Sequence, residues 1–245
     1  MTVVLNHKVH VLSRKEELDT VRVPGKVAIV LDVRVATSTI LAAMAHGARR
    51  VIPTMDADAA RAESARHRPE STVLAGELHA VTIEGFAPPS PLALLAHGVR
   101  DKTLVYSTTN GTVALNEAAA AEAVYAGGLL NGAAVVDRVL SKHPGSTLLI
   151  VCSGSMGNFN IEDYYGAGYL VDLIGKSLGE RVDFSDAARA ARALFRSGAP
   201  APTLLDCRVG RMMAARGLTE EVEYAAQLSA FDMVPRLDGN VLLPS

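Results

Sequence analysis

The sequence predicts an α/β protein in which helices cover both faces of a largely parallel sheet. Apolar segments of strand length recur from the start of the chain to residue 160. Helical stretches separate most of them, and this alternation is typical of parallel sheets. The chain has 245 residues, 49% of them hydrophobic, and a mean hydropathy of +0.21, which is enough to bury one large core. We therefore expect a three-layer α/β/α arrangement in a single domain, residues 1–245.

The strands are predicted from short apolar runs that turn-forming residues separate. They span Val3 to Leu12, Val27 to Leu31, Arg50 to Pro53, Thr72 to Ala75, Thr103 to Ser107, Ala123 to Ala126 and Thr147 to Cys152. The helices are predicted from apolar residues at helical spacing. They run about Ser38 to Ala48, Asp56 to His67, Gly111 to Ala119 and Asn131 to Lys142.

The pattern changes after the sheet-forming part, residues 1–160. Residues 161–228 contain amphipathic helical stretches with no strand between them, and we expect a helical lobe that closes over the sheet edge. Residues 229–245 return to extended character, with a turn at residues 238–240 that would add a strand to the sheet. The Pro-rich segment from Glu84 to Pro91 is expected to form a rigid loop beside the same edge.

Composition excludes several classes of function. The formal net charge is -2, and no basic run is present, so we expect no nucleic-acid or membrane partner recruited by bulk charge. The two cysteines, Cys152 and Cys207, make no metal-spaced pair, which favours a reduced intracellular protein. The first residues lack the pattern of a signal peptide. We expect a cytoplasmic protein, and a homo-oligomer is possible.

Polar loops follow three of the predicted strands. Asp32 ends the run VAIVL, and hydroxyl, amide or glycine residues follow TLVYS and TLLIV as well. Parallel strands end at one edge of a sheet, so we expect these loops to converge on an anion, with backbone N–H groups approaching it closely. The alternative is that the hydroxyl groups only cap the helices that follow. The residues concerned are Thr37, Ser38, Thr39, Thr108, Thr109, Asn110, Gly111, Thr112, Ser153 and Ser155.

Asp32 is the strongest candidate for a metal ligand. A carboxylate that directly follows an apolar strand is poorly solvated unless a cation or hydrogen-bond donors lie close by. Mg²⁺ is the simplest partner, because hard cations bind carboxylate oxygens. Glu77 ends the short run STVLA and is the better second ligand. Glu84, Glu162 and Asp163 are further candidates, although acidic residues are also common at helix starts.

Several established phosphate and ester chemistries are excluded by spacing. The residue six places after Cys152 is Asn158 and not the Arg of a cysteine phosphatase. Arg34 follows Asp32 by two places, which argues against an aspartyl-phosphate mechanism of the Asp-x-Asp kind. The chain has neither a GxxxxGK[ST] loop nor a GxSxG elbow, so it is neither a P-loop NTPase nor an ordinary α/β-hydrolase.

The order and spacing of the motifs resemble the 2-phosphosulfolactate phosphatase family, also called ComB-like. The resemblance implies a three-layer α/β/α fold around a mixed sheet and a Mg²⁺-dependent activity in coenzyme M biosynthesis. It covers nearly the whole chain. The matching residues are Asp32-Val33, Ala36 to Thr39, Gly76-Glu77, Glu84 to Phe86, Ser90-Pro91, Thr108 to Thr112, Asn131, Gly154, Gly157, Glu162-Asp163, Gly168, Phe231-Asp232 and Val234-Pro235.

The chain departs from the family pattern at positions where arginine is usual. The family reads Asp-Val-Leu-Arg-Ala, whereas here Arg34 comes one place earlier and Val35 takes the position of the arginine. Leu78 replaces the arginine of Gly-Glu-Arg, and Arg208-Val209-Gly210 replaces a late Ser-His-Gly. Guanidinium groups bind anionic groups bidentately, so these changes indicate that the metal and oxyanion residues are kept while the rest of the pocket is altered.

These observations predict a Mg²⁺-dependent phosphatase that hydrolyses a small phosphorylated acid, 2-phosphosulfolactate or a relative. Asp32 and Glu77 would hold the metal and act in catalysis, and Asp163 would orient the attacking water. Two alternatives stay open: a hydrolase, lyase or isomerase acting on a less anionic substrate, and a non-catalytic binding protein. The predicted substrate-binding residues are Arg34, Thr37, Ser38, Thr39, Thr108, Thr109, Asn110, Gly111, Thr112, Ser153, Glu84 and Asn131.

Overall fold

The structure of the protein is a computed structural model, which describes residues 7–245. The first predicted strand is therefore seen from His7, and its residues 3–6 lie outside the described residues. The observed strands are β1 (His7–Leu12), β2 (Val27–Leu31), β3 (Arg50–Thr54), β4 (Thr72–Leu78), β5 (Val81–Thr82), β6 (Thr103–Ser107), β7 (Ala123–Gly127), β8 (Leu148–Cys152), β9 (Val182–Phe184), β10 (Pro235–Asp238) and β11 (Val241–Pro244). Each predicted strand is confirmed over its described residues, except that Thr147 precedes β8.

The helices confirm the four predicted in the sheet-forming part and add one. The addition is α3, which begins at the last proline of the Pro-rich segment. The observed helices are α1 (Ala36–Ala45), α2 (Ala57–Ser64), α3 (Pro91–His97), α4 (Gly111–Glu117), α5 (Gly132–Lys142), α6 (Ile161–Leu178), α7 (Asp186–Arg196), α8 (Pro200–Asp206), α9 (Arg208–Ala215) and α10 (Thr219–Ala225). The expectation of no strand between the helices of residues 161–228 is wrong, because β9 separates α6 from α7.

The strands form an 11-stranded mixed sheet in the order β5-β4-β6-β3-β11-β10-β7-β2-β8-β1-β9. Two parallel groups make up most of it: β4, β6 and β3 on one side, and β7, β2, β8, β1 and β9 on the other. The hairpin β10–β11 lies between these groups and pairs antiparallel with both of them. The extended tail therefore does not add an edge strand. It joins the two halves of the sheet.

Helices cover both faces of the sheet, which confirms the predicted α/β class. Successive residues of β2 point to opposite faces, as the pleat requires. Ile29 and Leu31 join a core with residues of α5, α6 and α7, whereas Ala28 and Val30 join a second core with residues of α1, α3 and α4. All five residues of β2 are buried. This burial on both faces explains why the strand reads as a continuous apolar run.

The C-terminal helices cover the sheet in two ways. Helix α6 lies against the sheet, with most of its length buried, while α8, α9 and α10 pack against one another beside the carboxyl end of β2. The buried Glu221 of α10 accepts hydrogen bonds from Ser90 Oγ at 2.6 Å, Leu92 N at 2.9 Å and Ala93 N at 3.0 Å. These bonds satisfy the start of α3 and tie the last helices to the Pro-rich loop. Within residues 7–245, none of the helices combines the length and the apolar character needed to cross a membrane.

Candidate active site

A cavity of about 370 Å³ lies where the loops after β2 and β8 meet the β4–β5 hairpin and the loop after β6. We call it the cleft. Asp32 and Glu77 are both in its wall, together with Thr109 and Asn110. The remaining lining residues are Arg34, Val35, His79, Ala80, Thr82, Pro88, Pro89, Ser90, Ala93, Gly154, Ser155, Met156, Asn160, Arg208, Val209, Met212, Met213, Arg216 and Leu218.

The loops after the strands converge as predicted, but the shared edge of parallel strands explains only part of this convergence. Neighbouring parallel strands bring Asp32 beside the loop after β8, and they bring Glu77 beside Thr109. The two pairs belong to different halves of the sheet, which the hairpin separates. They meet because the start of α4 packs on the start of α1: a Cβ atom built on Gly111 would contact Ala36 and lie 2.7 Å from Asp32 Oδ2. Only glycine permits this approach.

Asp32 is half-buried, and hydrogen bonds within its own loop hold that loop in place. Thr37 Oγ1 donates to Asp32 O and accepts from Asp32 N, both at 3.0 Å. Val35 N donates to Asp32 Oδ1 at 3.1 Å, whereas Oδ2 has no hydrogen-bond donor among residues 7–245. Burial is the largest cause that raises the pKa of Asp32, and the Glu77 charge adds to it against the lowering effect of Arg34, so that the pKa is about 6. One carboxylate oxygen at the cleft wall is thus free to bind a ligand.

Glu77 has a different environment, because both of its oxygens accept hydrogen bonds. Thr109 N donates to Oε1 at 2.7 Å, and Ala80 N and Thr109 Oγ1 donate to Oε2 at 2.6 and 3.1 Å. The bond from Ala80 requires a two-residue turn in which His79 and Ala80 have φ values of 53° and 63°. Glu77 is 8% exposed. Its carboxylate therefore ties the β4–β5 hairpin to the loop after β6.

Asp163 lies beneath the cleft and does not line it. Its Oδ1 accepts from Val33 N at 2.8 Å, and its Oδ2 accepts from Gly154 N and Asn160 Nδ2, each at 3.1 Å. Burial raises the pKa of Asp163 well above its usual value, and the charges of Asp32 and Glu162 raise it further. Asp163 joins the loop after β2, the loop after β8 and the start of α6. These contacts leave neither oxygen directed at the cleft.

Three arginines line the cleft despite the departures from the family pattern. Arg34 Nε is 3.1 Å from Glu162 Oε1, and this pair is nearly buried, with side chains 11% and 2% exposed. Arg208 donates to Ser155 Oγ at 3.1 Å, and Arg216 donates to Ala80 O at 3.3 Å. Across the described residues, neither Arg208 nor Arg216 has a carboxylate partner within 4.0 Å. Both guanidinium groups therefore carry charge that an anionic ligand could neutralise.

The hydroxyl groups that follow β2 are all used inside the protein. Ser38 donates to Val33 O, and Thr39 donates to Pro89 O at 2.8 Å. Together with Thr37 they are fully buried and do not line the cleft. They brace the Asp32 loop and the Pro-rich loop. Their predicted contact with substrate stays a prediction, and their position favours a supporting role.

Other predicted residues also lie away from the cleft surface. Thr108 Oγ1 accepts from Thr112 N at 3.1 Å in the first turn of α4, which is the helix-starting role given as the alternative. Asn131 is buried and bonds Gly128 N, Ala126 O and Met233 O. Ser153 is buried, and the exposed Glu84 is not part of the cleft lining. Of the twelve predicted substrate-binding residues, Arg34, Thr109 and Asn110 line the cleft.

The sequence did not single out Met212, Met213 or Lys15 as parts of this site. Val209, Met212 and Met213 of α9 form an apolar wall of the cleft, and their helical spacing is equally typical of core packing. Lys15, only 8% exposed, donates from Nζ to Asn110 Oδ1 at 3.2 Å. Met156 N donates to the same oxygen at 3.2 Å. No local sequence signal marks a lysine 95 residues away as a partner of Asn110.

The donor set of the cleft is compatible with a hard cation. Among residues 7–245, no group of three or more His, Cys, Asp and Glu side chains is arranged to hold a metal by itself. Mg²⁺ does not need such a group, since it keeps several waters and uses one or two carboxylates with substrate oxygens. Asp32 Oδ2 is the free carboxylate oxygen that fits this role. Glu77, with both oxygens already hydrogen-bonded, fits it less directly.

Fold and cleft together define an α/β protein whose carboxylates and guanidinium groups surround one cavity. The model of the 2-phosphosulpholactate phosphatase family matches residues 12–240. The chain therefore belongs to the 2-phosphosulfolactate phosphatase family, which confirms the resemblance seen in the sequence.

Named relatives agree with this assignment over nearly full length. The chain is 29% identical to a probable 2-phosphosulfolactate phosphatase of Clostridium beijerinckii, over 96% of this chain and 98% of the relative. It is 32% identical to a protein of the same name from Carboxydothermus hydrogenoformans, over 93% and 92% of the two chains. For that of Caldanaerobacter subterraneus the identity is 35%, over 90% and 91%.

Proposed function

We propose that this protein is a Mg²⁺-dependent phosphatase that hydrolyses a small phosphorylated acid, 2-phosphosulfolactate or a close relative. The observation that carries the proposal is the composition of the cleft wall: a carboxylate oxygen without a protein donor on Asp32, facing a cavity that Arg208 and Arg216 also line. A cleft without guanidinium groups would have favoured a less anionic substrate. Family membership and the names of the relatives support the same reaction.

The cationic and amide groups of the cleft would bind the substrate. Arg208 and Arg216 would bind the oxygens of its acid group and of its phosphoryl group through charge-assisted hydrogen bonds. Asn110 already uses its oxygen to accept from Lys15 and Met156, so its amide nitrogen is left to donate to a substrate oxygen. Arg34, neutralised by Glu162, would shape the wall more than it would bind charge.

The carboxylates would bind the metal and hold the loops around it. Asp32 would hold Mg²⁺ through Oδ2, with Glu77 as the second carboxylate. The bound ion would supply positive charge to the phosphoryl oxygens as the bond from phosphorus to the ester oxygen breaks. Glu77 would keep Thr109 and the hairpin turn in place. Asp163 would act as a positioning residue that holds the Asp32 loop, because its own oxygens are occupied.

The experiment is inorganic phosphate release from 2-phosphosulfolactate, measured with Mg²⁺ and with EDTA. We expect turnover that requires Mg²⁺ and falls at least about 100-fold in Asp32→Asn. Asp183→Asn, an exposed carboxylate in β9, is the matched control and should keep full activity. Absence of turnover by the wild type would refute the substrate, and equal turnover in EDTA would refute the metal dependence.

A second candidate substrate class is favoured by the apolar wall. Val209, Met212 and Met213 offer no hydrogen-bonding group for a sulfonate. A phosphorylated acid with an apolar substituent would contact this wall. If such compounds are hydrolysed with a higher kcat/KM than 2-phosphosulfolactate, the reaction stands and the substrate changes.

A further inference from the structure

A second concave region lies at the amino ends of β3, β4 and β6, whereas the cleft lies beyond their carboxyl ends. Arg50 begins β3, Thr103 begins β6, and Ser71 immediately precedes β4. We call this region the basic cavity; its volume is about 540 Å³. It is lined by Arg49, Arg50, Arg66, His67, Arg68, Ser71, Asp101 and Thr103. Because none of these side chains is apolar, the region is suited to a strongly polar ligand.

Carboxylates neutralise only part of the charge in the basic cavity. Glu63 Oε2 is 2.9 Å from Arg66 Nη1, and Glu63 Oε1 is 3.0 Å from His67 Nε2. Arg49 and Asp101 are 4.0 Å apart, with side chains 69% and 75% exposed. A long pair between such exposed groups contributes little and breaks readily when a stronger anion arrives. Two carboxylates therefore face four guanidinium groups.

Arg50 and Arg68 are the cations that remain available. In the described part of the chain, no carboxylate oxygen lies within 4.0 Å of either guanidinium group. Arg50 Nε donates to Oγ1 of the buried Thr103 at 3.1 Å. This bond holds the guanidinium group in place and leaves its two terminal nitrogens free. The chain as a whole has a formal net charge of -2, so this concentration of positive charge is local.

The number of guanidinium groups indicates the kind of anion. A guanidinium group binds two oxygens of one phosphoryl group in parallel, and two such groups nearly satisfy one phosphate. Arg50 and Arg68 have no carboxylate partner, and Arg49 and Arg66 are only partly neutralised, so the four groups together match two linked phosphoryl groups better than one. We propose that the basic cavity binds the diphosphate group of a small molecule, at a site separate from the phosphatase cleft. Inorganic pyrophosphate is its minimal ligand, and a nucleoside diphosphate carries the same group.

The test is isothermal titration calorimetry of the full chain with pyrophosphate in EDTA, which suppresses metal-dependent binding in the cleft. We expect binding by the wild type that weakens about tenfold or more in Arg50→Gln/Arg68→Gln. Arg68→Glu is the second variant: its position is exposed, so it should fold normally and weaken binding as much. Phosphate release in the cleft should stay unchanged in both variants.

The matched control is Arg181→Gln/Arg189→Gln, which removes the same charge at exposed positions near β9, the opposite edge strand from β4–β5. It should weaken binding by less than about twofold, as expected for long-range charge alone. A parallel titration with ADP distinguishes the sources: tighter binding than pyrophosphate indicates a nucleotide, and equal binding indicates the diphosphate alone. The proposal is overturned by absent binding, by equal weakening in the control, by inorganic phosphate binding as tightly, or by preference for a single-stranded oligonucleotide.

Discussion

Asp32 and Glu77 show that two carboxylates in one wall can have different tasks. Both lie at the end of an apolar run, so the sequence pattern alone predicts the same role for the two residues. In the folded protein, Glu77 accepts three hydrogen bonds from the hairpin turn and the loop after β6, whereas Asp32 accepts one on Oδ1 and none on Oδ2 from the described residues. Asp32 is thus the residue available to a ligand, and Glu77 is needed to hold the wall together.

This difference predicts unequal effects on stability. Glu77→Gln places an amide NH₂ against Thr109 N or Ala80 N, and the free energy of unfolding should fall by about 1–3 kcal/mol for the unsatisfied donor. Asp32→Asn keeps an oxygen for Val35 N and should cost less. Urea unfolding of both variants in EDTA measures the difference. Identical unfolding midpoints would contradict the structural role of Glu77.

Lys15 is the second residue with a testable role. Its ammonium group donates to Asn110 Oδ1 and also pairs with Glu16 Oε1 at 2.7 Å. Lys15→Met removes the charge and one of the two bonds that orient Asn110. A hydrogen bond to a charged group contributes about 1.5–3 kcal/mol, so we expect kcat/KM for phosphate release to fall about tenfold, chiefly through KM.

The control for this prediction is Lys8→Met, at an exposed position of β1. It removes the same charge and should change KM by less than about twofold, since exposed charges at a distance are screened. Lys15→Arg, which keeps a cationic donor, should recover part of the lost affinity. Equal losses in Lys8→Met and Lys15→Met would show that the effect is only one of net charge.

At the scale of elements, α6 and α7 are held together by an ion cluster around the buried Asp172. Asp172 of α6 is 2.9 Å from Arg192 Nε and 2.6 Å from Arg196 Nη2 of α7, and 3.0 Å from Lys176 Nζ in its own helix. Burial raises the pKa of Asp172, but the hydrogen bonds from Arg192, Lys176 and Arg196 outweigh it and lower the pKa to about 2. The folded state thus favours the ionised carboxylate.

This shift predicts a pH-dependent contribution to stability. The folded pKa lies below the ordinary 3.8, so the stabilisation is fully present above about pH 4 and is lost as the pH falls toward 2. It amounts to about 2 kcal/mol. The difference in unfolding free energy between wild type and Asp172→Asn should shrink over that range. Asp137→Asn, exposed on α5, should show no such change; a difference that is constant with pH would refute the assignment.

At the scale of the whole molecule, the C-terminal hairpin is the element that makes one sheet from two. Strand β11 pairs with β3, and β10 pairs with β7. Leu242, fully buried, packs in the core that contains α1, α3 and α4. Cleft residues come from both parallel groups, so their relative position depends on this hairpin. Stability and activity should therefore fall together when the hairpin is weakened.

A pair of adjacent leucines tests this dependence. Leu242→Ala should lower the free energy of unfolding by about 2–5 kcal/mol, as expected for a buried leucine. Leu243→Ala, on the opposite face of the same strand and 37% exposed, should cost less than about 1 kcal/mol. Guanidinium unfolding monitored by circular dichroism measures both. If Leu242→Ala lowers the free energy of unfolding as little as Leu243→Ala does, the hairpin adds surface packing only.

The polarity pattern of the chain determined the α/β class and most of the strands, and the order and spacing of its motifs indicated the family. The continuous apolar runs of β2, β6 and β8 could be recognised because these strands are buried on both faces. The same local information identified Asp32, Glu77, Thr109 and Asn110, which do line the cleft. Each of these residues follows or ends a strand, so periodicity alone was enough to place it at a sheet edge.

Only the tertiary structure decided which polar groups remain free. Thr37 and Asp163 look like ligand residues in the sequence, but their hydrogen bonds are satisfied within the protein. Lys15 donates to the cleft residue Asn110, and Arg216 lines the cleft, although both come from segments that carry no local signal. A hydrogen bond between distant residues depends on how the elements pack, and the sequence near either partner does not encode that distance. The central position of the C-terminal hairpin could not be predicted for the same reason, because it depends on pairing with the distant strands β3 and β7.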